Sequence, residues 1–306
     1  GKKETFPLHD ANWWWSMEKG VYYNPGKFRD SYIFFEALVD GKVLKSTNYI
    51  SFDASNGICN ISRKEIALMG QQSEHEFMNV NCGIMDQYII ATAQENSAEL
   101  LDCASITHEF VPLNLGDYRF VVMNTKKQRK LADSKYNERR SQCEQGLAIL
   151  QQNGVDIKDL CSLSVEDFEK YGSFIKDDVI YRRVRHCVTE NQRVLDAVAA
   201  LKQNDLVQLG KLLYESHDSL KNDYEVTGIE LDTLKEVASK QEGCIGARMT
   251  GAGFGGCAIA LFKGNNHLVI DNILDDLKSK YRQITGIELD YYYVESSDKT
   301  SLIDGE

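Results

Sequence analysis

The spacing of apolar residues predicts helices and strands along most of the chain beyond about residue 60. Leucine and valine recur every three or four positions over residues 181–203 and 205–221, which predicts two amphipathic helices. Continuous apolar runs bounded by turn residues predict strands instead. Strands are expected in this way at 118–124, 245–249, 257–262 and 289–294, and further helices at 134–152, 229–240 and 268–283.

A capping box predicts the start of one more helix near residue 62. Ser62 is followed three positions later by Glu65, and this pair is typical of a helix N-terminus. The helix should run to about Phe77. Farther along, strand-like runs at 99–103 and 108–113 flank a short polar turn, which predicts a β-hairpin.

The turn at residues 115–117 is the expected domain boundary, giving an N-terminal domain over 1–116 and a C-terminal domain over 117–306. Helices packed against an antiparallel sheet make the expected fold class α+β. The content of 42% hydrophobic and 26% charged residues is ordinary for a globular chain of 306 residues.

The charge and cysteine content exclude some classes of partner. The net charge is -11, and an acidic chain does not hold nucleic acid by its bulk field, so no nucleic-acid partner is expected. No apolar stretch reaches the length of a membrane span, so no membrane partner is expected. The 8 cysteines form no C-x-x-C pair, which indicates reduced thiols and a cytoplasmic location.

The segment 81–87 contains the leading candidate for chemistry. Asp86 follows Gly83 and opens an apolar-periodic run, which places it in or near the first turn of a helix. Gly83 permits a tight turn and the close approach of a ligand. A carboxylate held there could accept a proton from a bound hydroxyl. Alternatively Asp86 only caps its helix, because aspartate is favoured at that position.

The glycine-rich segment 251–256 matches G-x-G-x-x-G at Gly251, Gly253 and Gly256. A dinucleotide-binding fingerprint needs a helix after this loop, whereas a strand is expected at 257–262. The hypothesis of a dinucleotide-binding oxidoreductase therefore depends on glycine spacing alone. The glycines suit either a turn that only bare backbone can make or the approach of main-chain N–H groups to an anion.

Other candidates have ordinary structural alternatives. Tyr224, in a polar turn, could present its hydroxyl to a ligand or pack its ring inside. Glu74 lies near the end of the helix that begins at Ser62, where a carboxylate is usually solvated. Arg139 and Arg140 could bind phosphate, although surface ion pairs of little energetic weight are the commoner role.

Segments from different parts of the chain resemble one enzyme family in their order and content. They are residues 82–87 (CGIMDQ), 131–140 (LADSKYNERR), 216–226 and 246–257. The family they resemble is galactokinase, within the small-molecule kinases that include homoserine and mevalonate kinases. The resemblance implies a two-domain small-molecule-kinase fold with an incomplete N-terminal α/β domain and a C-terminal ferredoxin-like α+β domain.

The resemblance also implies a reaction and residue roles. The implied reaction is phosphoryl transfer from ATP to the anomeric hydroxyl of galactose, with Mg²⁺ as a cofactor and a monomer as the expected state. Asp86 matches the catalytic base, and Gly83, Asp86 and Tyr224 match sugar-binding positions. Glu74 matches a magnesium ligand. The loop that matches the third family motif, expected near the nucleotide, contains Gly251, Gly253 and Gly255.

Two family motifs are not found. One is the opening G-R-x-N-x-x-G-E-H-x-D-Y segment, which supplies most sugar contacts. The other is the phosphate loop P-x-G-x-G-L-S-S-S, in whose place residues 48–59 stand before Ser62. We therefore expect impaired activity, and N-acetylgalactosamine stays open as a substrate. The alternative function is a non-catalytic galactokinase-like fragment or a sugar-sensing regulator.

Overall fold

The computed structural model divides into two compact units, Gly1–Thr92 and Ala93–Glu306, called here the first and second unit. Residues 54–57, within the stretch that stands in place of the phosphate loop, lie outside the described residues. The structure describes residues 32–33, 36–39, 42–45, 50–53, 58–59, 62–77, 81–127, 132–264 and 267–300, with side chains over 62–77, 81–127, 135–264 and 270–300.

Short antiparallel strands precede the helices of the first unit. Strands β1, β4 and β5 pair in the order β1-β4-β5, and β2 pairs with β3. Their bounds are Tyr32–Ile33 for β1, Glu36–Val39 for β2, Lys42–Lys45 for β3, Ile50–Asp53 for β4 and Ile58–Cys59 for β5.

Helix α1 (Arg63–Glu76) begins where the capping box predicts. The Ser62 hydroxyl accepts a hydrogen bond from the Glu65 N–H at 3.1 Å. The Glu65 carboxylate accepts one from the Ser62 N–H at 2.7 Å. These bonds satisfy two main-chain donors that the first turn leaves without helical partners. Helix α2 (Met85–Thr92) follows and packs on α1.

An antiparallel sheet forms the base of the second unit. Strands β8 (Tyr118–Asn124), β9 (Cys244–Thr250), β10 (Cys257–Lys263) and β11 (Asp290–Val294) pair in the order β11-β8-β10-β9. Helical connections join β8 to β9 and β10 to β11, which is the ferredoxin-like arrangement. The predicted strands and the α+β class are confirmed.

The long helices of the second unit are also confirmed. Helix α4 and two 3₁₀ turns, Leu160–Ser162 and Gly172–Phe174, lie in a stretch without a sequence prediction. Among the described residues, no helix is long and apolar enough to cross a membrane. The helices are α3 (Ala132–Gln152), α4 (Val165–Tyr171), α5 (Asp178–Lys202), α6 (Leu206–Ser219), α7 (Gly228–Ser239) and α8 (His267–Thr285).

Apolar side chains are buried in separate cores within this unit. One core lies between the sheet and helices α7 and α8, and another joins α3, α4 and α5. The first contains Val121, Met123, Leu231, Leu234, Phe262 and Leu274, and the second contains Leu150, Phe168, Val184 and Val188.

The hairpin of β6 (Ser97–Asp102) and β7 (Thr107–Pro112) belongs to the second unit. Val111 of β7 is buried in a cluster with Leu201 and Leu206, which flank the α5–α6 connection, and with Leu261 of β10. The division of contacts therefore falls at residues 92/93, whereas the sequence analysis placed a boundary at 116/117.

The beginning and the end of the second unit are hydrogen-bonded to each other. The Glu95 N–H donates to the Asp298 carboxylate at 3.0 Å. The Lys299 N–H donates to the Ala93 carbonyl at 2.8 Å. This unit therefore closes on itself beside the point where the first unit joins it along the chain.

Candidate functional site

The connection between α1 and α2 contains Gly83 and leads to Asp86. The Cys82 carbonyl accepts a hydrogen bond from Gln71 Nε2 at 3.1 Å and lies 2.8 Å from His75 Nε2. These contacts attach the connection to the later turns of α1. Asp86 is the second residue of α2, and its side chain is exposed. A helix anchored in this way holds the carboxylate in a defined position.

Glu74 and Asp86 both act on the charge state of the Cys82 thiol. Burial is the largest cause raising the pKa of Cys82, and the charges of Glu74 and Asp86 raise it further, against a hydrogen bond from Gln87 that lowers it. The charges of these two predicted site acids therefore both favour the neutral form of the thiol. Because its pKa is raised, this thiol stays protonated at neutral pH and is a poor nucleophile.

Gly83 does not have the left-handed backbone conformation that favours glycine. A Cβ added at Gly83 would meet no atom within 4 Å. This open space agrees with one predicted reason for a glycine here, the close approach of a ligand.

Tyr224 ends a π-helical turn, Leu220–Tyr224, that follows α6. Its ring stacks on His186 with centroids 4.5 Å apart, and its hydroxyl lies 3.8 Å from Cys143 Sγ. Burial raises the pKa of Tyr224 and lowers the pKa of His186 to about 4, so both are neutral at pH 7. The ring is therefore packed and the hydroxyl lies beside a thiol, but the residue is only half-buried, so a contact between Tyr224 and a ligand stays a prediction.

Arginines from α3 and α5, called here the arginine cluster, hold the main chain around Tyr224. Arg139 Nε donates to the Tyr224 carbonyl at 2.7 Å, and its Nη2 donates to the Glu225 carbonyl at 3.1 Å. Arg183 is only 2% exposed, and it donates to the Asp223 carbonyl at 2.5 Å and to the Glu225 carboxylate at 2.6 Å. The other members are Arg182, which donates to the Asn222 carbonyl at 2.9 Å, and Arg185, which pairs with the Asp223 carboxylate.

The arginine cluster stabilises an unfavourable backbone conformation at Glu225. This residue has φ 56° and ψ 52°, a left-handed geometry that costs a non-glycine residue about 1–2 kcal/mol. Hydrogen bonds from Arg183 and then Arg182 lower the pKa of Glu225 to about 2. The ionised carboxylate thus offsets the cost of the turn that follows Tyr224.

Arg139 and Arg140 have different roles. Arg139 is 7% exposed, and its guanidinium lies 6.0 Å from the Phe254 ring centroid. It pairs with Glu138 at 2.9 Å as expected, but its other donors are directed to main-chain carbonyls and Gln142, so the expected exposure is wrong for this residue. Arg140 is exposed and pairs with Glu144 at 3.0 Å, as expected.

The segment 251–256, called here the glycine hairpin, joins β9 directly to β10. Because β10 begins at Cys257, no helix follows the glycines, and the dinucleotide-binding interpretation is excluded. The φ angles are 77° at Gly251, 81° at Gly253 and 121° at Gly255.

The glycines of this hairpin have different surroundings. A Cβ at Gly253 would lie 2.2 Å from the Val226 carbonyl oxygen, so no larger residue fits there. A Cβ at Gly255 would lie 3.2 Å from the Lys127 Cβ. Gly251 is exposed, and a Cβ there would meet no atom within 4 Å. Of the three predicted glycines, only Gly251 borders open space.

Tyr224 and the glycine hairpin form one assembly within the second unit. The Phe254 N–H donates to the Val226 carbonyl at 2.7 Å. Arg139 reaches both the Tyr224 carbonyl and the Phe254 ring. The fold therefore brings together predicted residues that come from separate parts of the sequence.

A family model and comparisons with known proteins agree with the family that the sequence motifs resemble. The model of the GHMP kinases C-terminal family matches residues 197–283. The galactokinase of Clostridium perfringens strain SM101 is 50% identical over 233 residues, which cover 76% of this chain and 59% of that protein. The galactokinase of Staphylococcus saprophyticus is 44% identical over 309 residues, which cover 96% of this chain and 78% of that protein. This chain belongs to the galactokinase family.

A solved structure supports the same galactokinase fold. Lactococcus lactis galactokinase complexed with galactose matches with a TM-score of 0.75 and 42% identity, covering 79% of this chain and 61% of that one. The resemblance and the two-domain α+β fold predicted from the sequence are confirmed.

Within the described part of the chain, no group of three or more His, Cys, Asp or Glu side chains could hold a metal ion. Kinase sites commonly bind Mg²⁺ through one or two carboxylates together with water and substrate phosphates. A single carboxylate such as Glu74, in the last turn of α1, suits a site of this kind.

The contacts of the α5 arginines and of Glu225 were not predicted from the sequence. Arg183 follows Ile180 by three positions and precedes Cys187 by four, so helical spacing places it on the inward face of α5. A charged residue at an apolar position of a helix indicates a buried partner. That pattern could have identified Arg183, but not the main-chain carbonyls that it contacts.

Proposed function

We propose that this chain transfers the γ-phosphoryl group of ATP to the anomeric hydroxyl of galactose. The observation that carries the proposal is the 44% identity to Staphylococcus saprophyticus galactokinase along 96% of this chain. The exposed position of Asp86 in the first turn of α2, near Glu74, supports the same assignment.

Asp86 is the proposed base. Its carboxylate would orient the anomeric hydroxyl and accept its proton as the phosphoryl group is transferred. Glu74 would hold Mg²⁺, which neutralises charge on the transferring phosphate when bound.

The remaining residues have proposed binding roles. Gly83, where an added Cβ meets no neighbour, would let galactose approach the main chain. Tyr224 would contact the sugar, and Gly251 would approach the nucleotide. Gly253 and Gly255 would support that loop through their close packing on neighbouring segments.

The proposed state is a cytoplasmic monomer. No disulfide links the cysteines in the part of the chain that the structure describes, which suits a reducing compartment. Size-exclusion chromatography with light scattering would measure the mass directly, and the mass of a dimer would contradict the proposed monomer.

The kinase assay compares wild type with Asp86→Asn. Loss of a general base should lower the rate of galactose-dependent ADP formation roughly a hundred- to ten-thousand-fold. Asp167→Asn is the matched control, because Asp167 is also an exposed acid in the first turn of a helix, α4. It should retain wild-type activity.

Equal rates for wild type and Asp86→Asn would remove Asp86 from the mechanism. If wild type binds galactose by calorimetry but forms no ADP, the chain is a sugar-binding relative and the proposed reaction is wrong.

A further inference from the structure

Two cysteines without a role in the proposed reaction touch each other beside Tyr224. Cys143 of α3 and Cys187 of α5 have their sulfur atoms 3.5 Å apart, and both residues are half-buried. The Tyr224 hydroxyl lies 3.8 Å from Cys143 Sγ. The pair therefore adjoins a residue that the proposed function places at the sugar.

The helices that bear these cysteines approach each other closely. Gly146 follows Cys143 by one turn, and a Cβ at Gly146 would lie 2.2 Å from a Val184 methyl carbon. Val184 in turn precedes Cys187 by about one turn. A disulfide needs an S–S distance of about 2.05 Å and Cα atoms roughly 4.4–6.8 Å apart. The sulfur atoms, 3.5 Å apart, must therefore approach by roughly 1.5 Å to reach bonding distance, and the helices that bear them are already in close contact.

We propose that Cys143 and Cys187 form an oxidative modification site, which a hydroperoxide converts to a disulfide.

The surroundings give the two sulfur atoms different roles. The hydrogen bond from Cys187 is the largest cause lowering the pKa of Cys143, helped by Tyr224 and the charge of Arg183 and opposed by burial and Glu144. The same contact raises the pKa of Cys187, as does its burial. Cys143 is therefore the sulfur that becomes a thiolate and attacks, and Cys187 is the resolving thiol.

The reaction balances with one hydroperoxide. The Cys143 thiolate attacks the peroxide, forming an S–O bond as the O–O bond breaks. The leaving oxygen takes the proton that the Cys143 thiol released and becomes an alcohol, or water when the oxidant is hydrogen peroxide. The Cys187 sulfur then attacks the Cys143 sulfenic acid. An S–S bond forms, the S–O bond breaks, and hydroxide leaves with the Cys187 proton as water. Two electrons pass from the thiols to the peroxide.

Oxidation would change the environment of Tyr224. The disulfide removes the Cys143 thiol as the neighbour of the Tyr224 hydroxyl. This consequence rests on the proposed function, in which Tyr224 contacts the sugar. Oxidised protein should then bind galactose about fivefold more weakly than reduced protein, which corresponds to the loss of one hydrogen bond. Dithiothreitol should restore the affinity.

The test maps disulfides in the full chain after treatment with hydrogen peroxide. Free thiols are blocked with N-ethylmaleimide, and tryptic peptides are analysed by mass spectrometry without reduction. Cleavage after Arg140, Lys158, Arg185 and Arg193 releases peptides 141–158 and 186–193, each with one of the two cysteines. We expect these peptides to be linked, with the loss of two hydrogen atoms, and to separate on reduction.

Matched variants make this map specific. Cys161→Ser removes an exposed cysteine outside the pair and should leave the link unchanged. Cys187→Ala should abolish the link and leave Cys143 as the sulfenic acid. If Cys187→Ala has a lower melting temperature than wild type, the disulfide maps of wild type and Cys161→Ser decide whether the Cys143–Cys187 link forms.

The proposal is overturned if 141–158 and 186–193 are recovered separately alkylated at peroxide doses that oxidise the exposed Cys103 and Cys161. Links from Cys143 to several cysteines in equal yield would overturn it as well. A reduced wild-type protein that binds no galactose contradicts the proposed function, while the disulfide map still decides the modification site.

Discussion

Replacing Arg183 with methionine should lower the free energy of unfolding by about 1–4 kcal/mol. The buried Asp223 carbonyl loses its donor at 2.5 Å, and a buried acceptor without a partner costs about 1–3 kcal/mol. Glu225 loses one donor but keeps Arg182, and its side chain is 45% exposed, so this loss adds up to about 1 kcal/mol. Gln142 also loses its donor at 2.9 Å, whereas the methionine side chain preserves most of the apolar packing.

The matched control is Arg182→Met. Arg182 also donates hydrogen bonds to the main chain and to Glu225, but its side chain is 21% exposed, so water can take the place of its donors. We expect a loss of at most about 1 kcal/mol. Urea unfolding of the full chain gives the free energy of unfolding for both variants, provided that their m-values agree with wild type. Equal losses for Arg183→Met and Arg182→Met would refute the reasoning, because burial would then not determine the cost.

Two further predictions concern segments next to Tyr224. Gly253→Ala should lower the free energy of unfolding by about 2–5 kcal/mol, because the added Cβ lies 2.2 Å from the Val226 carbonyl oxygen and the backbone is left-handed. Gly251→Ala has only the backbone cost and should lower it by about 1 kcal/mol in the same urea titration. Similar losses would show that the Val226 contact can relax. The pKa of Glu225 is about 2 in the folded protein and 4.5 in the unfolded chain. The ionised Glu225 carboxylate therefore stabilises the fold above pH 4.5, and this stabilisation is lost as the pH falls towards 2. Wild type should therefore lose more stability than Glu225→Gln between pH 6 and pH 3, and parallel curves would exclude this linkage.

Elements with strong local patterns were predictable from the sequence. Strand β10 and the start of α1 agree with prediction because an unbroken apolar run and a capping box each specify one local structure. The π-helical turn Leu220–Tyr224 was not predicted, because its geometry depends on arginines about 40 residues earlier along the chain.

The predicted domain boundary shows the limit of local turn chemistry. The turn exists, since the Tyr118 N–H donates to the Leu115 carbonyl at 2.8 Å. It does not coincide with the division between units, because Val111 just before it packs against residues of α5, α6 and β10. Such long-range packing has no local sequence pattern.

The roles of the candidate site residues stay predictions, and the side chains that support Tyr224 were not predicted from the sequence. The resemblance identified Asp86, Glu74 and Tyr224 by motif. The burial of Arg139 was missed because α3 is charged around most of its surface, and the carbonyl it binds lies 85 residues away along the chain. The partner of a side chain depends on the tertiary fold, whereas its chemistry is visible in the sequence.

The bonded ends of the second unit have a consequence for how the protein can be rearranged. Residues 93–96 and 296–299 lie side by side, so a short peptide bridge could join them and new termini could be opened at an exposed loop elsewhere.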